Sequence, residues 1–256
     1  MSLHRASLIL AIMVTAGCAT SHHETRAPIP LAPPCGIVYS ADGAGSFFSF
    51  TSALMEAIRG SNAALRVEPV NWSHGSGRIL SDHFDYDNVQ EEGCRLAARI
   101  LLQKQTFPDT KVHLIAHSAG AAVILSATEH LPPNCVEHIV LIAPAVSADY
   151  DLRPALRTAR CGIAVFHSEL DLGFLGIATG LSGNTDRTWS AAAGRVGFRP
   201  VICEPSDAEL YTRLRQHPWN RCVLWTGNRG GHFGGYRICY LQHYVLPVLT
   251  TPSVLF

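Results

Sequence analysis

Residues Lys111 to Ala121 read K-V-H-L-I-A-H-S-A-G-A, and their reading decides the fold. Val112, Leu114 and Ile115 form an apolar, strand-like run that ends at Ala116-His117-Ser118-Ala119-Gly120. A helix candidate rich in small residues, Ala119 to His130, follows with no linker. With no linker, strand would pass into helix close to Ser118. The positions two before and two after the serine, Ala116 and Gly120, are both small. The plainer reading of Ser118 is an ordinary N-cap for the helix.

Working outward, strand and helix signals alternate. Gly36 to Ser40 is a short apolar strand, Phe47 to Arg59 carries apolar residues at helical spacing, and Ala64 to Val70 alternates. A polar loop, Asn71 to Asp87, leads to a helix over Val89 to Gln103, where Cys94, Leu96, Ala97 and Ile100 share a face. Beyond the elbow, Val136 to Ile142 and Gly162 to Phe166 read as buried strands, and Val223 to Trp225 as the last strand. Arg237 to Leu246 would be the closing helix, ended by Pro247. This order predicts an α/β protein with a mostly parallel central sheet and helices on both faces.

The elbow resembles the nucleophile elbow of the α/β-hydrolase superfamily, G-x-S-x-G, with Ala116 in place of the first glycine. The resemblance spans about residues 35 to 247 as a topology, though only the elbow and a later glycine loop are specific. It implies a three-layer fold and a serine hydrolase of the esterase or lipase kind, with Ser118 as nucleophile. The family's acid follows the second strand beyond the elbow, and here that loop is His167-Ser168-Glu169-Leu170-Asp171. Asp171 is the choice and Glu169 the runner-up. The histidine should come from the loop Gly227 to Gly235, where His232 is the only histidine and glycines flank it on both sides. His117 is read as structural. For the oxyanion, the resemblance implies the backbone N–H of Ala119 and a second donor after the first strand, from Asp42 or Gly43. Asp42 should point its carboxylate away from the oxyanion or bond it to the backbone. Only about twenty residues separate Ile142 from Gly162, too few for a large lid domain. The connection Leu172 to Arg221, with its glycines and Trp189, is a candidate wall of the pocket, and the loop Asn71 to Asp87, with Trp72, His74, Gly75 and Gly77, is either another wall or a glycine-rich surface turn.

Composition excludes other classes. Lys+Arg and Asp+Glu both number 20, so no net field collects nucleic acid. With 47% apolar and 16% charged residues the chain suits one large core rather than disorder. No G-x-G-x-x-G follows the first strand, and no G-x-x-x-x-G-K-[ST] occurs. No metal or organic cofactor is implied.

The N-terminus reads as a targeting segment. His4 and Arg5 precede an eleven-residue apolar run, Ala6 to Ala16, of h-region length. The run ends Val14-Thr15-Ala16-Gly17-Cys18, which resembles a bacterial lipoprotein cleavage site, with a plain secretory signal as the alternative. The expected organisation is a signal peptide over 1–17, a lipid-anchored tether over 18–34 starting at Cys18, and a hydrolase domain over 35–256. The protein would then be exported and held on a membrane of the bacterial cell envelope through Cys18. Without Cys18 seven cysteines remain, an odd number. Most are read as small buried residues, with room for one or two disulfides.

The functional expectation is hydrolysis of a small-molecule carboxylic ester through Ser118, His232 and Asp171. The alternatives are an exported serine peptidase or amidase of the same fold, and a catalytically inactive binding lipoprotein.

Overall fold

The structure, a computed structural model, describes residues 36–46, 49–171, 184–188 and 190–250. The signal, Cys18 and the tether lie outside the described residues, as do Cys35, Phe47, Trp189 and the glycines between 172 and 183.

Six strands form the sheet: β1 (Gly36–Ala41), β2 (Leu65–Val70), β3 (Lys111–His117), β4 (Ile139–Ile142), β5 (Ile163–His167) and β6 (Leu214–Pro218). All neighbours pair in parallel, in the order β2-β1-β3-β4-β5-β6. The chain lays down β1, steps outward to β2, then crosses back over β1 to β3 and proceeds to the other edge. Between β1 and β3 the winding reverses, and the crevice at their carboxyl ends is where such sheets bind ligands.

Side chains alternate across each strand, so the sheet builds two cores at once. On one face Val38, Ile115, Val140 and Phe166 pack against α1 (Phe50–Arg59), through Phe50 and Leu54, and against Tyr240, Leu241 and Val245 of the closing helix. On the other face Ile37, Leu114, Leu141 and Val165 meet Leu96 and Ile100 of α3 (Tyr86–Thr106), and Val123 and Ile124 of α4 (Gly120–Thr128). Full burial of each such side chain contributes about 1.5–3 kcal/mol. These layers make the three-layer α/β-hydrolase fold. The link from β4 to β5 holds one short helix, α5 (Arg153–Thr158), and no lid domain.

Five expectations need correction. Val223 to Trp225 is not a strand, because it lies in a 3-10 helix, Arg221–Thr226. The last strand is β6, which pairs Leu214 with Ile163. As an exposed edge strand it needs no apolar pattern, and its sequence, L-R-Q-H-P, has none. The loop Asn71 to Asp87 contains a helix, α2 (Ile79–Phe84). Pro247 does not end the closing helix, which runs as Ile238–Tyr240, a π-helical turn Leu241–Val245, and Leu246–Thr250. The wider turn comes just before the residue that lacks an N–H to donate. Cys94 is exposed, whereas its neighbour Gly93 packs against Ser126 of α4. Finally, of the six described cysteines only Cys135 is buried.

Candidate active site

Ser118 stands where β3 stops and α4 has not begun. Its φ of 52° lies in the left-handed region, which a side chain with a Cβ occupies at a cost of roughly 1–3 kcal/mol. Two main-chain bonds hold it there: its N–H donates to the Ile142 carbonyl (3.0 Å), and its carbonyl accepts from the Ala145 N–H (3.1 Å). The small flanking positions have different reasons. A Cβ on Gly120 would stand 2.4 Å from the Asp42 carbonyl oxygen and 2.7 Å from that of Ala41, so α4 can pass β1 only as glycine. Ala116 instead puts its methyl into the core on the α3 side, which explains why alanine serves there.

Asp171 and His232 arrive from two further loops. Asp171 closes a tight turn after β5, with its N–H on the Ser168 carbonyl (3.1 Å). His232 sits in the loop after the 3-10 helix; within that loop Gly230 takes a φ of 82°, and its N–H donates to Asn228 Oδ1 (2.9 Å). His232 Nδ1 lies 2.6 Å from Asp171 Oδ2, and Nε2 lies 3.0 Å from Ser118 Oγ. A carboxylate acceptor at Nδ1 puts the ring proton there, leaving the Nε2 lone pair facing the serine hydroxyl. All three side chains are buried, with Ser118 at 9% exposure, His232 at 8% and Asp171 at 2%. Glu169 is exposed. The structure thus brings Ser118, His232 and Asp171 together.

His117 supports this arrangement from below. Its Nε2 lies 2.9 Å from the His232 carbonyl oxygen, and its Nδ1 lies 3.1 Å from the Tyr236 hydroxyl. A carbonyl can only accept, so Nε2 carries the proton and the tyrosine donates to Nδ1. Burial, aided by the neighbouring His232, pushes the His117 pKa well below the ordinary histidine range. It is a neutral strut under the backbone of His232. Nothing in the sequence singled out Tyr236, because its role depends on a contact across 119 positions of chain.

Two backbone segments lie beside the serine. Ala119 opens α4, and Gly43 lies against Ser118: a Cβ added there would sit 3.2 Å from Ser118 Cβ. Among the described residues neither N–H donates a hydrogen bond. The Asp42 carboxylate turns toward the start of α1, accepting from the Thr51 N–H (2.7 Å), the Thr51 hydroxyl (3.0 Å) and the Ser49 hydroxyl (3.3 Å). A cavity of about 420 Å³ beside β5, β6 and the closing helix includes none of the three residues. Among the described residues no group of three metal-ligating side chains comes together.

A monoglyceride lipase homolog of Monkeypox virus is 28% identical over 122 residues, which are 47% of this chain and 42% of the viral protein. The match therefore spans less than half of that relative's length. A poly(3-hydroxybutyrate) depolymerase from Bordetella parapertussis is similar in structure with a TM-score of 0.49 at 12% identity, covering 83% of this chain and 81% of that one. A serine hydrolase without a lid from Xanthomonas campestris gives 0.48 at 14% identity, over 88% and 87%. The model of the alpha/beta hydrolase family matches residues 37–249, from β1 to the end of the closing helix. With that span matched, the chain belongs to the alpha/beta hydrolase family.

Proposed function

We propose that the protein hydrolyses carboxylic esters, with Ser118 as nucleophile, His232 as general base and acid, and Asp171 as the group that orients the imidazole. The carrying observation is the continuous hydrogen-bond path from Ser118 Oγ through His232 to Asp171, at 3.0 and 2.6 Å. Ser118 Oγ attacks the ester carbonyl as its proton passes to His232 Nε2. The negative charge that forms on the carbonyl oxygen is held by the Ala119 N–H and by that of Gly43 or Asp42. His232 then protonates the departing alkoxide, and water repeats the sequence on the acyl-enzyme. A panel of p-nitrophenyl esters of rising acyl length, run beside the matched p-nitroanilides, tests this reading. Ester turnover should dominate. Faster anilide cleavage would point to an amidase or peptidase, and failure of Ser118 to react with a fluorophosphonate would leave a binding protein.

The same reading includes a membrane anchor. Residues 1–17 are a signal peptide, Cys18 bears the lipid, and 18–34 tether the hydrolase domain. It rests on the apolar run and the small residues before Cys18. Several acyl chains on one cysteine give durable binding, since each buried methylene adds about 0.8 kcal/mol. Cys18→Ser should move the protein from the detergent phase to the soluble exported fraction with ester turnover retained. Mass spectrometry of the mature terminus decides the matter, and an unmodified terminus other than Cys18 ends the claim.

A further inference from the structure

The loop after β1 is held by partners that the proposed mechanism does not use. Gly45 and Ser46 both take left-handed conformations, with φ of 74° and 43°, a pairing that persists only when its surroundings impose it. Three bonds from the segment after β2 do so. Trp72 Nε1 donates to the Asp42 carbonyl (2.8 Å), the Gly77 N–H donates to the Gly45 carbonyl (2.9 Å), and the Gly45 N–H donates to Asp82 Oδ2 (2.7 Å).

Asp82 is the hub of this contact. It has no exposed surface, although it belongs to a short helix at the rim of the molecule. Its Oδ2 accepts from Gly45 and from the Ser73 hydroxyl (2.5 Å). Its Oδ1 accepts from the His74 N–H (2.7 Å) and from His74 Nδ1 (2.8 Å). The other ring nitrogen of His74 reaches Asp85 Oδ2 at 3.1 Å. A carboxylate at each ring nitrogen favours protonated His74. The bond to Asp82 is the main cause that raises the His74 pKa, and Asp85 acts in the same direction. A buried carboxylate with four hydrogen-bond partners is a satisfied group, and removing one partner of such a group is costly.

We infer that Asp82, with His74 behind it, is a positioning residue that sets the loop 42–46 against Ser118, so that the N–H of Gly43 or Asp42 meets the developing oxyanion. The inference rests on the proposed role of Ser118. The loop is anchored at Asp42 and at Gly45, one residue before and two after Gly43. Loss of the Asp82 bond removes one of the two contacts that hold Gly45, leaving the Gly77 N–H on its carbonyl. An oxyanion donor is worth about 10²- to 10³-fold in kcat, and it acts on the tetrahedral state rather than on bound substrate. A positioning role therefore predicts a loss in kcat with KM preserved.

Asp82→Asn is the direct test. All four partners of Asp82 are donors, so an amide nitrogen at either oxygen's place sets donor against donor. In p-nitrophenyl ester assays we expect kcat to fall roughly 10- to 100-fold with KM within about twofold. The affinity of a trifluoromethyl ketone, which forms a tetrahedral oxyanion on Ser118, should weaken by the same factor. His74→Ala, at a partly exposed position, should give a smaller loss in the same pattern, and it decides the question if Asp82→Asn does not fold. Folded variants with parental kcat and inhibitor affinity overturn the inference. So does a kcat loss without weaker inhibitor binding, or one matched by a rise in KM. Labelling of the parent protein by a fluorophosphonate keeps the two readings apart: no labelling at Ser118 removes the proposed mechanism, whereas labelling with unaffected variants removes only the role of Asp82.

Discussion

Ser118→Ala should lower ester turnover by roughly 10⁴- to 10⁶-fold, because losing the nucleophile leaves only the residual acceleration from binding and oxyanion contacts. The fold should survive. The bonds that pin the elbow, to Ile142 and Ala145, are made by the main chain and do not involve the hydroxyl. Alanine meets the same left-handed strain as serine at this φ of 52°. Ester turnover is measured beside circular dichroism and thermal melting of the same preparation. Near-parental turnover in a folded variant would sink the assignment.

Asp171→Asn should cost on the order of 10³- to 10⁴-fold in kcat with the fold intact. An amide nitrogen facing Nδ1 favours the tautomer with its proton on Nε2, and that imidazole cannot take the serine proton. Glu169→Gln should change kcat little, since its side chain is exposed and outside the hydrogen-bond path. A crippling Glu169→Gln with a mild Asp171→Asn would reverse the assignment. His232→Ala should remove the activity with the fold intact, since no other described side chain links Ser118 to Asp171. His117 is no substitute base, because burial holds its pKa well below the ordinary histidine range.

The central strands and the elbow could be read from residues alone because their apolar runs are buried on both faces. Val112, Leu114 and Ile115 had to be apolar wherever β3 lay. The edge was not legible, since β6 exposes most of its side chains and carries no pattern. The acid and the histidine were reachable by order along a family topology, and glycines marked the histidine's loop. Asp82 was not reachable. In I-L-S-D-H-F it looks like one more polar residue of a loop, and only the fold brings Gly45 to it across 37 positions. Histidines show the same limit: among the described ones burial places His113, His117 and His232 inside, and no local feature of sequence separates His113 from the exposed histidines.

Both edge strands of the sheet carry a proline near their carboxyl ends. β2 carries Arg66, Glu68 and Pro69, with Arg66 paired to Glu68 at 2.9 Å, and β6 carries Arg215, His217 and Pro218. Each proline withholds an N–H from any incoming chain, and the charged neighbours make a flat, dry union of two edges unfavourable. Crowding many copies onto one surface, where collisions between molecules are frequent, should therefore not join them edge to edge into fibrils.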